Sequence, residues 1–327
     1  MKSKRKVIYL LVTLLISSLL IAGCGAGQAA IVEGKVNVFT TFFPLYDFTK
    51  KIGGEHVNVV NLVPTGVEPH DWSPKSKDLK GLNQAQLFIY NGAGFEGWVH
   101  DFLDGVKKDS KLVLVEASKG AEFIPATMDK HEKEDEHKHE EKKKDGHGHD
   151  EEESNVDPHI WLSPLQAKKM AENVKNGLIQ ADAAHKADYE ANYNKLIGQL
   201  DQLHTKFKDE ISKTNRKEFV TSHQAFGYLA RDYGLRQVPI MGLAPDAEPT
   251  SKDLMEISKF VKENQVKYIL FEELVSDKLA KTLANDLNIQ TLVLSPLEGI
   301  TEEQAKAGED YVTLMNKNLT NLLKALQ

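Results

Sequence analysis

The fold is decided by residues 36–63, which read VNVFTTFFPLYDFTKKIGGEHVNVVNLV. The apolar runs at Val36–Thr41 and Val57–Val63 are rich in β-branched residues and predict two strands, while Leu45–Ile52 predicts a helix between them. A strand, a helix and a second strand in this order form a βαβ unit, in which the two strands lie parallel in one sheet.

The same alternation continues through the chain on both sides of a central helical region. Two further strands are predicted in the first half, at Gln86–Tyr90 and Leu112–Glu116, with helices at Pro74–Leu82 and Gly97–Val106. The second half repeats the pattern with strands at Glu218–Thr221, Gln237–Met241, Val266–Phe271 and Thr291–Leu294 and helices at Ala225–Tyr233, Ser251–Glu263 and Asp277–Leu287. The sequence therefore predicts an α/β fold with two lobes, each a mainly parallel four-stranded sheet flanked by helices.

Long helical patterns separate the two lobes, at Pro164–Ile179 and Ala184–Ser212. The second places apolar residues at three- and four-residue steps and predicts a rigid helix that joins the lobes and lies against both: Tyr189, Tyr193, Leu196, Leu200, Leu203 and Phe207. A last helix, from about Glu302 to Leu326, is expected to cover the final strand. The predicted domains are a lipoprotein signal peptide at 1–23, a flexible tether at 24–34, an N-terminal lobe at 35–183, a linker helix at 184–213 and a C-terminal lobe at 214–327.

The N-terminal residues have the pattern of a lipoprotein export signal. A basic segment with four Lys or Arg residues precedes the apolar run Val7–Ala22, which is sixteen residues long and short for a membrane span. The single cysteine, Cys24, follows after Gly23. Because a lone thiol cannot form an internal disulfide, we expect lipidation at Cys24 and an anchor on the extracytoplasmic face of the cell membrane.

Residues 129–153 read DKHEKEDEHKHEEKKKDGHGHDEEE and contain no apolar side chain, so we predict a disordered loop. An alternative interpretation of this segment is a solvated run of charges that only keeps the protein soluble. The loop holds five of the twelve histidines, which with the surrounding carboxylates indicate weak accessory metal binding: His131, His137, His139, His147 and His149. The whole chain has a net charge of −7, which argues against a nucleic-acid partner.

Two segments place a histidine in the same local pattern. His70 lies in EPHDWSP and His159 lies in DPHIWLSP. In each, a proline before the histidine restrains the backbone, a tryptophan two residues later can shield the ring, and Ser-Pro is expected to cap and begin a helix. A rigid, half-buried imidazole is a good metal ligand because little order is lost on binding.

Two more potential ligands follow strands of the second sheet. His223 comes directly after a predicted strand, and Glu298 comes after the last one, so both reach the carboxyl edge where open α/β sheets bind ligands. Each histidine alone is more often a structural residue than a ligand. Taken together, His70, His159, His223 and Glu298 predict a metal site in the cleft between the lobes, and three imidazoles with one carboxylate favour Zn(II) over manganese. The remaining histidines at positions 56, 100, 185 and 204 are expected to be solvent-exposed.

A glycine-rich turn offers a different interpretation. Residues 92–97 read GAGFEG and match G-x-G-x-x-G, a pattern typical of dinucleotide sites, with Glu116 nineteen residues later. However, the turn follows the third strand of its lobe and not the first, and the exported protein meets few nucleotide cofactors. A tight bend from strand to helix is a sufficient explanation.

The motifs PHDWSP, DPHIWLSP, TSHQAFGYLA and SPLEG resemble those of the zinc-binding solute receptors of bacterial ABC importers, the ZnuA-like and AdcA-like proteins. The resemblance covers essentially the whole mature chain, and a His-rich acidic loop before the second ligand is typical of the zinc branch. It implies ligands at His70, His159 and His223. For the fourth ligand we expect Glu298, with Glu68 as the reserve and Glu272 or Glu273 as weaker options.

The resemblance also implies a function. We expect an extracytoplasmic, high-affinity zinc receptor, a monomer and not an enzyme, that delivers Zn(II) to the permease of an ABC importer driven by its ATPase. Alternatives are a manganese receptor or adhesin of the same superfamily, or a surface zinc hydrolase. The hydrolase is argued against because the sequence has no H-E-x-x-H motif and no nucleophile elbow.

Overall fold

The computed structural model describes residues 31–107, 110–126, 156–245 and 249–327. The predicted signal peptide, Cys24 and the five histidines of the acidic loop lie outside these ranges. No helix within these four ranges combines the length and the apolar character that crossing a membrane requires.

The first lobe is built on a sheet of four parallel strands, as predicted. Its strands are β1 (Val36–Thr40), β2 (Val57–Asn61), β3 (Leu87–Tyr90) and β4 (Val113–Glu116), in the order β2-β1-β3-β4. The intervening helices are α1 (Phe43–Gly53), α2 (Ser76–Leu82) and α3 (Val99–Gly105). Every residue of β1 is buried, because it is a central strand covered on both faces.

Two long helices follow the first sheet. Helix α4 spans Pro164–Ala181, and after a short 3-10 turn helix α5 spans Lys186–Ser212. The predicted apolar stripe of α5 is confirmed, because Tyr189, Leu196, Leu200, Leu203 and Phe207 are buried and Tyr193 is partly buried. Helix α5 packs against α1 and α4 of the first lobe and also against helices of the second.

The second lobe repeats the architecture of the first. Its strands are β5 (Glu218–Thr221), β6 (Arg236–Pro239), β7 (Tyr268–Phe271) and β8 (Gln290–Val293), all parallel and in the order β6-β5-β7-β8. The connecting helices are α6 (Gly227–Tyr233), α7 (Ser251–Glu263) and α8 (Lys278–Leu287). The predicted two-lobe α/β fold is therefore confirmed.

The predicted single C-terminal helix is wrong, because the chain forms two helices, α9 (Glu302–Lys306) and α10 (Tyr311–Ala325). Gly308 has φ +69° and ends the first helix in the left-handed conformation that glycine adopts most easily. The Asp310 carboxylate then accepts a hydrogen bond from the Thr313 N–H at 2.8 Å and caps the second helix.

One apolar core cluster contains buried residues of both lobes, and each lobe also has a smaller cluster of its own. Helix α10 packs against α5, and the ring of Tyr311 lies 4.9 Å from that of Phe48 in α1. The Lys51 ammonium bridges Asp47 of the first lobe and Asp310 of the second, at 2.7 Å from each. The C-terminal helix therefore holds the lobes together, and the predicted boundaries at 183/184 and 213/214 stay a prediction.

Three of the four histidines predicted to be solvent-exposed are half-buried. The rings of His56 and His185 stack with centroids 3.8 Å apart, and His204 Nδ1 lies 3.1 Å from the Tyr233 hydroxyl. His100 is the exception, with 66% of its side chain exposed. The prediction was wrong for His56, His185 and His204 because these contacts join segments that are distant in sequence.

Candidate metal centre

The four side chains predicted as ligands lie together between the two lobes. His70 comes from the loop after β2, and His159 lies directly before a 3-10 turn at Ile160–Leu162 that leads into α4. His223 and Glu298 follow β5 and β8, at the carboxyl edge of the second sheet. Each of the four residues offers one ligand atom, and these atoms all lie within 4.8 Å of one another.

The distances between these atoms define a compact group. The Glu298 Oε1 atom lies 3.4 Å from His70 Nε2, 3.2 Å from His159 Nε2 and 3.7 Å from His223 Nε2. The Nε2 atom of His159 lies 3.3 Å from that of His70 and 3.4 Å from that of His223. In a tetrahedral zinc site with bonds of about 2.0–2.1 Å, neighbouring ligand atoms are about 3.3–3.4 Å apart. The group therefore has the size of a tetrahedral zinc shell.

Three of the four side chains are buried, and the fourth is largely buried. His159 and His223 are fully buried, Glu298 is 3% exposed, and His70 is the most accessible, with 13% of its side chain exposed. Glu298 Oε1 is buried, and the groups that face it are the Nε2 atoms of the three imidazoles. A buried carboxylate oxygen that faces three imidazole nitrogens is suited to bind a cation, because it offers the negative charge of the group.

A carboxylate that the sequence analysis did not assign orients His159. Asp157 Oδ1 lies 2.8 Å from the ring Nδ1 of His159 and also accepts a hydrogen bond from its backbone N–H at 2.9 Å. Because a carboxylate only accepts, the imidazole donates its Nδ1–H and leaves the Nε2 lone pair free for a metal. An aspartate two residues before the histidine was the available sequence signal.

Glu272 has the same role for His223. Its Oε1 atom lies 2.5 Å from His223 Nδ1 and accepts the Ser222 hydroxyl at 2.7 Å. Glu272 therefore faces the ring nitrogen that points away from the other ligand atoms. Its neighbour Glu273 accepts a hydrogen bond from the Gln304 side chain at 2.9 Å instead.

Glu68, the reserve ligand, stabilises the loop that carries His70. Its carboxylate accepts the backbone N–H groups of His70 at 3.0 Å and Asp71 at 3.2 Å. Burial raises the pKa of Glu68 to about 6, although the hydrogen bond from His70 opposes the shift. Glu68 thus fixes the backbone of His70, and Glu298 supplies the carboxylate of the four-atom group.

The shared pattern around His70 and His159 differs between its two copies. Trp161 is fully buried with its ring 5.3 Å from that of His159, as predicted. Trp72 instead packs on Trp98, and the residue that covers His70 is Phe95, at 5.0 Å.

The expected Ser-Pro helix start is also only partly correct. Helix α4 begins at Pro164, but the Ser163 hydroxyl donates to the Asp232 carboxylate at 2.5 Å and does not cap the helix. Helix α2 begins at Ser76, two residues beyond the predicted proline. Neither Ser73 nor Ser163 therefore caps a helix with its side chain.

The charged side chains in the centre shift one another's pKa values. Burial alone would lower the pKa of His159, but its contacts with the carboxylates of Asp157 and Glu298 outweigh burial and raise it to about 9. Burial would likewise raise the pKa of Glu298, but the three imidazoles hold it well below its usual range. The carboxylate is therefore an anion at neutral pH, and a metal ion that binds Nε2 of His159 has to compete with a proton for it.

The glycine-rich turn at residues 92–97 is a tight bend. Gly92 and Gly94 have φ of +79° and +76°, and a Cβ on Gly92 would lie 2.5 Å from the side chain of Glu116. The carboxylate of Glu96 accepts the backbone N–H groups of Asn91 at 2.7 Å and Gly92 at 3.1 Å. The donors that would bind a phosphate are therefore occupied by the turn's own glutamate.

Comparisons with known protein families and with individual proteins point to the same family. Residues 38–325 match the family described as "Zinc-uptake complex component A periplasmic". The chain is 40% identical over 312 residues to the "High-affinity zinc uptake system protein ZnuA" of Bacillus subtilis (strain 168), covering 94% of each chain. It is also 40% identical over 317 residues to the "Zinc-binding lipoprotein AdcA" of Streptococcus pneumoniae (strain ATCC BAA-255 / R6), covering 97% of this chain but 60% of that protein.

Solved structures share the fold. The zinc-bound ZnuA-like domain of Streptococcus pneumoniae AdcA superposes with a TM-score of 0.73 at 37% identity, covering 90% of this chain and 99% of that one. A second structure is the laminin-binding protein Lmb of Streptococcus agalactiae, described as a bifunctional protein with adhesin and metal transporting activity. It superposes with a TM-score of 0.76 at 29% identity, covering 90% of this chain and 100% of that one. The family match spans nearly all of the described residues, and it is a family of uptake components and not of enzymes. This chain therefore belongs to the family of zinc-uptake complex component A proteins.

Proposed function

We propose that this protein is a receptor that binds one Zn(II) ion between its two lobes through His70, His159, His223 and Glu298. The observation that carries the proposal is the spacing of the four ligand atoms. The five separations given above lie between 3.2 and 3.7 Å, close to the edge length of a tetrahedral zinc shell. Because all four positions are supplied by the protein, the ion is held without an open position for activating water.

The proposal includes delivery of the ion to a membrane permease. The relatives are named as uptake proteins, and one as a lipoprotein, which supports an ABC importer as the partner and Cys24 as the lipid anchor. Zinc binding displaces protons from the imidazoles, so the receptor takes up the ion as it releases protons to solvent. We further propose that the receptor acts as a monomer.

Manganese is a poorer match than zinc for this centre. Manganese sites in proteins usually contain more oxygen ligands and a higher coordination number, whereas the group here offers three nitrogens and one oxygen. The similarity to the laminin-binding protein leaves adhesion as a second role on another surface. That role is tested by measuring laminin binding of wild type and His223→Ala, which is expected to be unchanged if adhesion does not use the metal centre.

Competitive titration with a chelating dye tests the proposed function on the chain from Gly25 onward. We expect one tight zinc site, weaker manganese binding, and a loss of zinc affinity of at least a hundredfold in His223→Ala and in His159→Ala. His100→Ala is the matched control because His100 is mostly exposed and lies outside the centre. Full zinc affinity in His223→Ala would overturn the proposal.

A further inference from the structure

The carboxylate of Glu298 projects from a turn whose backbone is strained. Within the described ranges four non-glycine residues have positive φ, and Leu297, at +55°, is the only one with a branched apolar side chain. A leucine adopts this conformation only when its surroundings impose it. Leu297 is fully buried and directly precedes Glu298, so the strain lies in the turn that aims the carboxylate.

Hydrogen bonds on both sides of Leu297 hold this turn. The indole Nε1–H of Trp161 donates to the Pro296 carbonyl at 2.7 Å, and the Phe43 N–H donates to the Glu298 carbonyl at 3.4 Å. Both donors belong to the first lobe. Within the second lobe, Asn318 donates to the Ser295 carbonyl at 2.6 Å and accepts the Ser295 N–H at 2.8 Å.

Trp161 is itself firmly fixed. Its ring is fully buried against Phe42 at 4.6 Å and Phe95 at 5.0 Å, and its carbonyl accepts the Tyr311 hydroxyl at 2.5 Å. His159 lies two residues earlier in the same rigid segment. The indole therefore connects the segment of one proposed ligand to the turn of another, across the boundary between the lobes.

This connection holds Glu298 close to the three imidazoles. A loop with a strained residue would relax if its bonds to the first lobe were absent, and the 3.2 Å separation between Glu298 and His159 would widen. A ligand set that is already at the spacing of a small tetrahedral ion binds that ion with little rearrangement and fits larger ions poorly.

We propose that Trp161 is a positioning residue for metal binding, whose indole N–H clamps the Ser295–Gly299 turn and thereby holds Glu298 at the spacing that favours zinc over larger ions. The inference rests on the proposed zinc site. It assigns Trp161 a role that does not require contact with the ion.

A double-mutant cycle tests the clamp. Trp161→Phe keeps an aromatic ring but removes the N–H donor, and we expect it to weaken zinc binding roughly tenfold and to reduce the ratio of zinc to manganese affinity. In a Glu298→Gln background the same substitution is expected to weaken zinc binding less than about threefold, because the charged ligand that it positions is absent. The smaller ring leaves the same cavity in both backgrounds, so that effect cancels. Trp98→Phe, which has no bond to the turn, is the control and is expected to leave zinc affinity unchanged.

Equal losses in the two backgrounds, or no loss in either, would overturn the inference. A second measurement does not require Trp161→Phe to fold. The chain has three tryptophans, so Trp72→Phe and Trp98→Phe assign the indole N–H signals in an NMR spectrum. The Trp161 signal is expected to exchange slowly with solvent both without and with zinc, and rapid exchange in the zinc-free protein would contradict the clamp. If wild type fails to bind zinc, the proposed function is wrong, whereas the exchange measurement still reports on the clamp.

Discussion

Replacing Glu272 by glutamine tests whether the carboxylate behind His223 contributes to metal affinity. Glu272 is 3% exposed, lies 2.5 Å from the ring Nδ1 of His223, and is not one of the four residues of the proposed ligand group. The substitution keeps the shape of the side chain and removes its negative charge. A loss of affinity therefore reports on the charge behind the His223 ring and not on the shape of the side chain.

The structure indicates the size of the effect. Removing a carboxylate that orients a metal-bound histidine typically costs 10–100-fold in affinity. The glutamine oxygen can still accept the Nδ1–H of His223 and the Ser222 hydroxyl, so the ring keeps its tautomer and orientation and loses only basicity. We therefore expect the lower end of the range, about tenfold or about 1.4 kcal/mol, for Glu272→Gln. Glu272→Ala removes the acceptor as well and is expected to reach about a hundredfold.

The assay is zinc titration against a chelating dye at pH 7.5, with Glu273→Gln as the matched control. Glu273 is the next residue along the chain, and its carboxylate pairs with Gln304 and not with a histidine. We expect no change in zinc affinity for this control. Equal losses in Glu272→Gln and Glu273→Gln, or an unchanged affinity in Glu272→Ala, would refute the assigned role of Glu272.

Three further predictions follow from the charges and the sequence. The pKa of His159 is raised to about 9, so zinc must displace its proton at neutral pH. Zinc affinity is expected to rise about tenfold per pH unit for each displaced proton between pH 6 and 8. A zinc affinity that does not change with pH, measured by dye competition, would contradict this prediction. Burial raises the pKa of Glu96 to about 7, above its value in the unfolded chain, so the stability that the protonated carboxyl contributes at low pH is lost as the pH rises through 7. The free energy of unfolding in urea, measured for wild type relative to Glu96→Gln, is expected to fall by about 2–3 kcal/mol between pH 5 and 8. Equal pH profiles for the two proteins would argue against this effect of Glu96. Deleting residues 129–153 is expected to leave the tight zinc site unchanged and to remove weaker ions in calorimetry, whereas loss of the tight site would show that the acidic loop supplies a ligand.

The fold was largely predictable because its periodic signals are local. All eight strands are present within two residues of their predicted ends, since each strand is a short apolar run bounded by turn residues. The break between α9 and α10 was missed although Gly308 and Asp310 are a stop signal and a start signal for a helix. Helix α9 has only five residues and no buried side chain, so no apolar periodicity marks it as a separate helix.

The grouping of His70, His159, His223 and Glu298 was predictable from their flanking sequence, but the surroundings of these side chains were not. His70 and His159 have similar motifs, yet Phe95 covers the first ring and Trp161 the second, because the neighbours of each ring come from distant segments. The pairing of Glu272 with His223 likewise depends on how β5 and β7 lie side by side. Only the fold brings such residues together.

X-ray absorption at the zinc edge tests the four-ligand centre most directly. For protein loaded with one equivalent of zinc, the account predicts four nitrogen or oxygen ligands at about 2.0–2.1 Å with the scattering of three imidazoles. In His70→Ala, one imidazole contribution is expected to disappear. A wild-type spectrum with five or six ligands, or with fewer than three imidazoles, would contradict the central claim.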